Sequence, residues 1–148
     1  MAIGQTWMSG AAIALVVLLG IEFMAPTSKE LLGRVSRVLP MGSAAYIHEH
    51  HLPGPMFNDF NWGGFLIYVV PDMPVSMDGR TNVHNAVEIE RSWNTWNMGP
   101  GWESDPNLAR ARVIVADPSR ALTKELARNP NFSVVFNDGV SVLLVRQK

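Results

Sequence analysis

The chain has no cysteine. Disulfides, thiolate metal sites and cysteine nucleophiles are excluded together, and the redox compartment stays open. A basic excess is also missing. Twelve Lys and Arg stand against 13 Asp and Glu, so the electrostatic footprint of a nucleic-acid binder is absent. No repeat or low-complexity run occurs, and the ten Pro and twelve Gly are scattered. Charged residues are sparse at 17% while apolar ones reach 47%, which fits a packed chain and not a disordered one. The 148 residues leave room for one domain and an appendage.

One long apolar run is present. Trp7 to Met24 reads WMSGAAIALVVLLGIEFM and carries a single charge, Glu22, near its end. As a helix it would span about 27 Å, close to the hydrocarbon thickness of a bilayer. Trp7 suits one interface, and Glu22 with Pro26 suits the other. No Lys or Arg precedes the run and no small-residue cleavage site follows it, so an uncleaved anchor over 1–25 is expected rather than a secretory signal. Gly10 and Ala14 form a small-xxx-small pair, which lets another helix approach closely. Lys29, Arg34 and Arg37 follow the run, and by the positive-inside rule they place the rest of the chain in the cytoplasm. Thr27 and Ser28 open an amphipathic connector helix within 26–39, with Leu31, Leu32, Val35, Val38 and Leu39 on one face. That face lies on a membrane surface or on the chain's own domain.

The remainder, 40–148, reads as one α/β domain. A short helix over Gly42–His51 turns Ala44, Ala45 and Ile47 inward. Met56-Phe57 is a strand, Asn61 caps a helix over Trp62–Val70, and Gly63-Gly64 let that helix pack on a sheet. Pro71 and Pro74 bracket a turn before a strand at Val75-Ser76-Met77. A helix over Val83–Met98 places Ile89, Trp93 and Trp96 on a packing face. Asp105 caps a short helix through Arg110, and Val113–Ala116 is a strand. Asp117-Pro118-Ser119 opens a helix with Ala121, Leu122, Leu126 and Ala127 inward and Arg120 solvated. Phe132–Phe136 and Val140–Val145 form a hairpin around Asp138-Gly139. The expected architecture is an N-terminal membrane helix followed by a small mixed-sheet α/β sandwich ending in that hairpin.

Three clusters invite chemistry. His48, His50 and His51 suggest a metal, but no second ligand cluster is evident and His84 is the only other histidine, so no metal and no cofactor are expected. Asp78-Gly79-Arg80 puts a carboxylate and a guanidinium at a strand end, where open α/β sheets bind ligands. With His84 these are the candidate ligand residues. The plainer reading is an Asp that satisfies its own turn, with Gly79 supplying a positive φ. No nucleophile–base pair lies near, so no catalytic residue is assigned. Trp102, in the Gly/Pro loop 97–105, either plugs its own core or meets a partner.

The residues Phe57, Asn58, Trp62, Gly63, Gly64, Phe65, Leu66 and Ile67, followed by a Pro-bounded turn and Asp78-Gly79-Arg80, carry a resemblance. The pattern resembles the soluble C-terminal domain of bacterial multi-span glycosyltransferase-like membrane proteins, which are similar to protein mannosyltransferases. Asn82 and His84 depart from it, standing where an acidic residue and a Tyr are usual. The resemblance covers about Pro40 to the C-terminus and implies a periplasmic domain. It also implies a tail without the catalytic body, because catalysis in such enzymes belongs to loops between other membrane helices. Against the charge rule, the resemblance sets the expected side of the membrane. The expected function is a non-catalytic, single-span accessory subunit of a larger bacterial inner-membrane complex, such as a photosynthetic reaction centre with its antenna or a respiratory complex. Its expected partner contacts are Trp7, Gly10, Ala14 and Trp102, and a small-molecule ligand is not expected. The alternative is a module that binds a sugar or lipid-linked sugar at Asp78, Arg80 and His84. A hydrolase built on the histidines ranks third.

Overall fold

The structure, a computed structural model, describes residues 27–147. The anchor expected over 1–25, with Trp7, Gly10 and Ala14, lies outside them. Among the described residues no helix is long and apolar enough to cross a membrane. The chain divides into two compact units, 1–35 and 36–148.

In the first unit, α1 spans Ser28–Val35. The Thr27 hydroxyl accepts the Glu30 N–H at 3.2 Å, and Glu30 accepts the Thr27 N–H at 2.8 Å, a reciprocal cap. None of its residues is buried. The helix is shorter than the expected connector, because Val38 and Leu39 lie beyond it. In the second unit the Trp62 indole N–H donates to the Val38 carbonyl at 3.0 Å, and the Leu39 carbonyl accepts the Met41 N–H. Those carbonyls are thereby turned to uses outside a helix.

The second unit is a mixed α/β domain. Its elements are α2 (Met41–Glu49), β1 (Met56–Asn58), α3 (Gly63–Val69), α4 (Ala86–Trp96), α5 (Pro106–Arg110), β2 (Val113–Ala116), α6 (Ala121–Leu126), β3 (Phe132–Asn137) and β4 (Val142–Arg146). The four strands lie in the order β1-β2-β4-β3, with β1 parallel to β2 and the other pairs antiparallel. Alternation along each strand loads both faces, as a sheet covered on two sides requires. Phe57, Ile114, Val142 and Leu144 pack with Trp96, Leu108, Leu122 and Leu126 from α4, α5 and α6. Met56, Val113, Val115 and Leu143 pack with Ala44, Ile47, Trp62 and Leu66 from α2, α3 and the turn before α3.

Several expectations need correction. Val75–Met77 is not a strand, although it runs beside β1. Pro74 has no N–H to give, its carbonyl meets Met56 N–H at 3.0 Å, and the Asn58 side chain takes the Ser76 N–H and the Met77 carbonyl. Asp59, not Asn61, caps the turn 60–62 that leads into α3. In α2 it is Ser43 that turns inward rather than Ala45, because its hydroxyl meets Ser141 across 2.7 Å. In α6, Thr123 is buried while Ala121 and Ala127 are exposed, since the Thr123 hydroxyl donates to the Asp117 carbonyl at 2.7 Å. Helix α4 starts at Ala86, where Asn85 and Glu88 cap each other in a box. The hairpin connection is longer than two residues: Asp138 Oδ1 accepts from Val140 and Ser141, and Gly139 adopts φ 82°.

Gly63 packs α3 tightly, though not on the sheet. A Cβ there would press on the Met77 carbonyl oxygen and come within 2.6 Å of Asp78 Cα, both backbone atoms. At Gly64 a Cβ meets nothing within 4 Å. Gly63→Ala is therefore expected to destabilise the domain by about 1–3 kcal/mol. Gly64→Ala should be neutral or stabilising by up to about 1 kcal/mol. Urea unfolding of the two variants side by side checks this, and equal effects would refute the close approach at Gly63.

Candidate functional site

Both polar sites of the domain gather where β1 ends. Asn58 closes the strand, and its buried amide donates to the carbonyls of Asp59 at 2.9 Å and Met77 at 2.8 Å. The two chain segments that carry Asp59 and Asp78 are thus held at one point.

The first site is the Asp78-Gly79-Arg80 turn. Asp78 Oδ1 accepts the Arg80 backbone N–H and Nε, both at 2.9 Å, and Oδ2 accepts Nη2 at 2.7 Å. His84 closes the group, with Nε2 at 3.4 Å from the Asp78 N–H and Nδ1 at 3.8 Å from Glu88. The structure therefore brings together Asp78, Arg80 and His84, the three expected ligand residues. Gly79 does not adopt the expected positive φ, because the turn is closed by the Asp78 side chain and not by a left-handed residue. The hydrogen bonds from the Arg80 guanidinium lower the Asp78 carboxyl from its ordinary 3.8 to about 2. Burial opposes them, while the Arg80 N–H and positive charge add to the lowering. The same pairing raises Arg80. The Asp78 side chain is 4% exposed but that of Arg80 is 63% exposed, so water screens the pair. The geometry is that of a turn locked by its own carboxylate.

The second site was not anticipated. Asp59 follows β1 and Arg120 follows β2, so both stand past the C-terminal ends of the two parallel strands, where ligands bind in open α/β sheets. Arg120 Nε and Nη2 donate to Asp59 Oδ2 at 3.0 and 2.9 Å. Asp59 Oδ1 accepts the Asn61 N–H at 3.1 Å and so caps the turn 60–62. The pair borders a cavity of about 280 Å³ with Phe60, Asn61, Ser92, Trp93 and Trp96. The Arg120 guanidinium carbon lies 5.6 Å from the centre of the Trp93 ring. Trp96, only 2% exposed, stacks on Phe57 with centroids 4.9 Å apart. Its Nε1 is the one buried side-chain polar atom among the described residues with no hydrogen-bond partner. Such a donor costs about 1–3 kcal/mol.

Sequence periodicity assigned Trp96 inward correctly. It also put Trp93 on the packing face, yet Trp93 is 65% exposed. Ser92 and Thr95 are buried instead, because the Thr95 hydroxyl donates to buried Asp105 at 2.7 Å and rotates the helix accordingly. Arg120, expected to be solvated, is mostly covered by its pairing with Asp59. The signal for the second site was positional: each of the two residues sits just past a recognisable strand.

The remaining candidates fall elsewhere. Trp102 is half-buried and packs against the core on the α4 side of the sheet. At the end of α2 the His48 and His51 rings lie with centres 6.5 Å apart, while His50 faces another ring. His50 stacks on Tyr46 at 3.8 Å, and His51 takes φ 48° to end the helix. Among the described residues no group of three or more His, Asp or Glu is placed to hold a metal ion.

The lowered Asp78 value fixes a pH dependence. A carboxylate depressed in the folded state stabilises above its unfolded value, and that contribution is lost as pH falls through about 2. Stability is expected to drop between about pH 4 and pH 2. Asp78→Asn should lower stability at neutral pH and flatten the curve in that window. Urea unfolding across the pH series reads both effects, and parallel curves for the two proteins would refute the pairing.

Compared with models of protein families, with curated proteins and with solved structures, the chain matches none.

Proposed function

We propose that this chain is a non-catalytic accessory subunit of a bacterial membrane complex, anchored by the apolar run Trp7–Met24 and docking through its α/β domain. The reading rests chiefly on an exposed depression along α4. Val87, Glu90, Arg91, Trp93, Asn94 and Pro100 border about 500 Å³ of open space. Val87 and Trp93 are 63% and 65% exposed there. Large apolar side chains grouped on a surface, with opposite charges at the rim, suit a protein neighbour. The occupant is a membrane subunit of the host complex, an energy-converting assembly such as a reaction centre with its antenna or a respiratory complex. The sequence resemblance supports a periplasmic placement.

Two further observations favour binding over catalysis. Both oxygens of the Asp78 carboxylate are engaged by Arg80, which weakens the reading of that turn as a sugar site or an acid–base centre. Asp105, another buried carboxylate, caps α5 through the N–H groups of Asn107 and Leu108.

Gentle extraction from native membranes, native separation and mass spectrometry test the proposal. The protein is expected to co-migrate in fixed stoichiometry with a large complex. The double variant Val87→Ser, Arg91→Ala should be released from it, with unfolding free energy changed by no more than about 0.5 kcal/mol. Migration of the unaltered protein as a free small species would sink the proposal.

A further inference from the structure

We infer that α1 lies in the headgroup region of a bilayer with its apolar face inward, and that its cations bind anionic phospholipid. This goes beyond docking of the α/β domain and uses none of the same residues. It rests on the anchor reading of Trp7–Met24 only for where the helix stands.

The apolar face is the first argument. At about 100° per residue, Leu31, Leu32 and Val35 fall within about 100° of one another, with the small Ser28 among them. Leu31 is 47% and Leu32 56% exposed, and no residue of α1 is buried. Two leucines therefore stand open on one side of a short helix, which calls for an apolar neighbour. Charge is the second argument. Lys29 stands about 60° beyond Leu32 and Arg34 about 60° beyond Leu31, so a cation borders the apolar face on each side. Side chains in that place lay their stems along the apolar surface and carry their charges to the phosphate level. The one acidic residue, Glu30, falls on the opposite side of the helix and accepts the Thr27 N–H at 2.8 Å.

Position is the third argument. Only Ala25, Pro26 and Thr27 separate Met24 from Ser28, a reach of at most about 14 Å. A helix that begins so close to the end of a membrane-length run begins at the interface. A protein neighbour would need acidic groups matched to both flanks of α1. A surface of anionic headgroups supplies them without any such match. Lys29 and Arg34 then have a task on whichever side of the membrane the domain stands. That reconciles cations after the run with a periplasmic placement.

The experiment uses the full chain, which has no cysteine, so one introduced thiol carries a nitroxide label. Leu32→Cys puts the label on the apolar face. Gly33→Cys puts it on the back, where an added Cβ meets nothing within 4 Å. The chains are reconstituted in vesicles of phosphatidylcholine, alone or mixed with phosphatidylglycerol. Spin relaxation by oxygen and by a water-soluble nickel complex reads immersion. In the mixed vesicles the Leu32 label is expected to be immersed and the Gly33 label aqueous. Lys29→Ser with Arg34→Ser should lower the immersed-to-aqueous ratio at Leu32 about thirtyfold, and phosphatidylcholine alone should lower it likewise. Lys29→Arg with Arg34→Lys should hold that ratio within about twofold. Alkaline carbonate washing reads the anchor separately: release of a protein whose Leu32 label is immersed would remove the anchor and keep the lipid contact. An aqueous Leu32 label, equal immersion at both positions, or a ratio indifferent to the two cations would each overturn the inference. So would a Leu32 label shielded only in native membranes, which would assign the face to a protein neighbour.

Discussion

The domain depends on the side chain of Asn58. It is fully buried, and all its hydrogen-bonding capacity is used. Its amide nitrogen holds the carbonyls of Asp59 and Met77, and its amide oxygen accepts the N–H of Ser76 at 2.9 Å and the Ser76 hydroxyl at 3.1 Å. Its own N–H donates to the Ser76 oxygen. Ordinary strand pairing along that edge of β1 would need donors that Pro74 lacks. One amide therefore does by side chain what a ladder would do by backbone. A buried amide costs desolvation, and it is tolerable only because every group is satisfied. In return it sets where β1 stops and where two carboxylates begin.

From that fixed edge the rest of the packing follows. A sheet whose strands run from three to six residues has little ladder energy, so burial on both faces must hold it. The helices divide accordingly, α2 and α3 on one face and α4, α5 and α6 on the other. Polar staples set their angles. Ser43 ties α2 to Ser141 in the hairpin connection, Asp105 ties α5 to Thr95 on α4, and the Arg146 guanidinium draws the carbonyls of Leu108 and Ala111 toward β4 at 3.0 and 2.9 Å. The first and last of these join elements distant in sequence, and the second joins two consecutive helices. They select one arrangement among the many that would bury the same apolar area.

This division explains what could be read from the sequence. The strands at Met56 and Val113, the helix after Trp62, the Asp105 cap and the final hairpin all carry local signals, and the structure contains them. Two failures came where a polar partner on another segment decided the outcome. Val75–Met77 has strand composition but faces Asn58 instead of a free backbone edge. Trp93 and Trp96 share a helical stripe, yet the Thr95–Asp105 bond turns one outward and leaves the other in the core. The Asp78 turn was legible because its partner is two residues away. The Asp59–Arg120 pair was not, because its members are 61 residues apart and parallel pairing of β1 and β2 is what brings them together.

The three buried carboxylates among the described residues show why burial alone is a poor guide to function. Asp59, Asp78 and Asp105 are equally enclosed, and each gives one oxygen to backbone N–H groups that begin a turn or a helix. The second oxygen distinguishes them. In Asp78 it returns to its own turn through Arg80, and in Asp105 it meets a hydroxyl inside the core. In Asp59 it meets an arginine delivered from the end of another strand, beside an aromatic ring and open space. A carboxylate that closes on its neighbours stabilises a turn whatever the remainder of the chain does. One whose partner arrives only after the sheet has formed depends on the completed fold for its geometry. The domain uses that second arrangement at the parallel strand ends, where the sheet leaves room for a ligand.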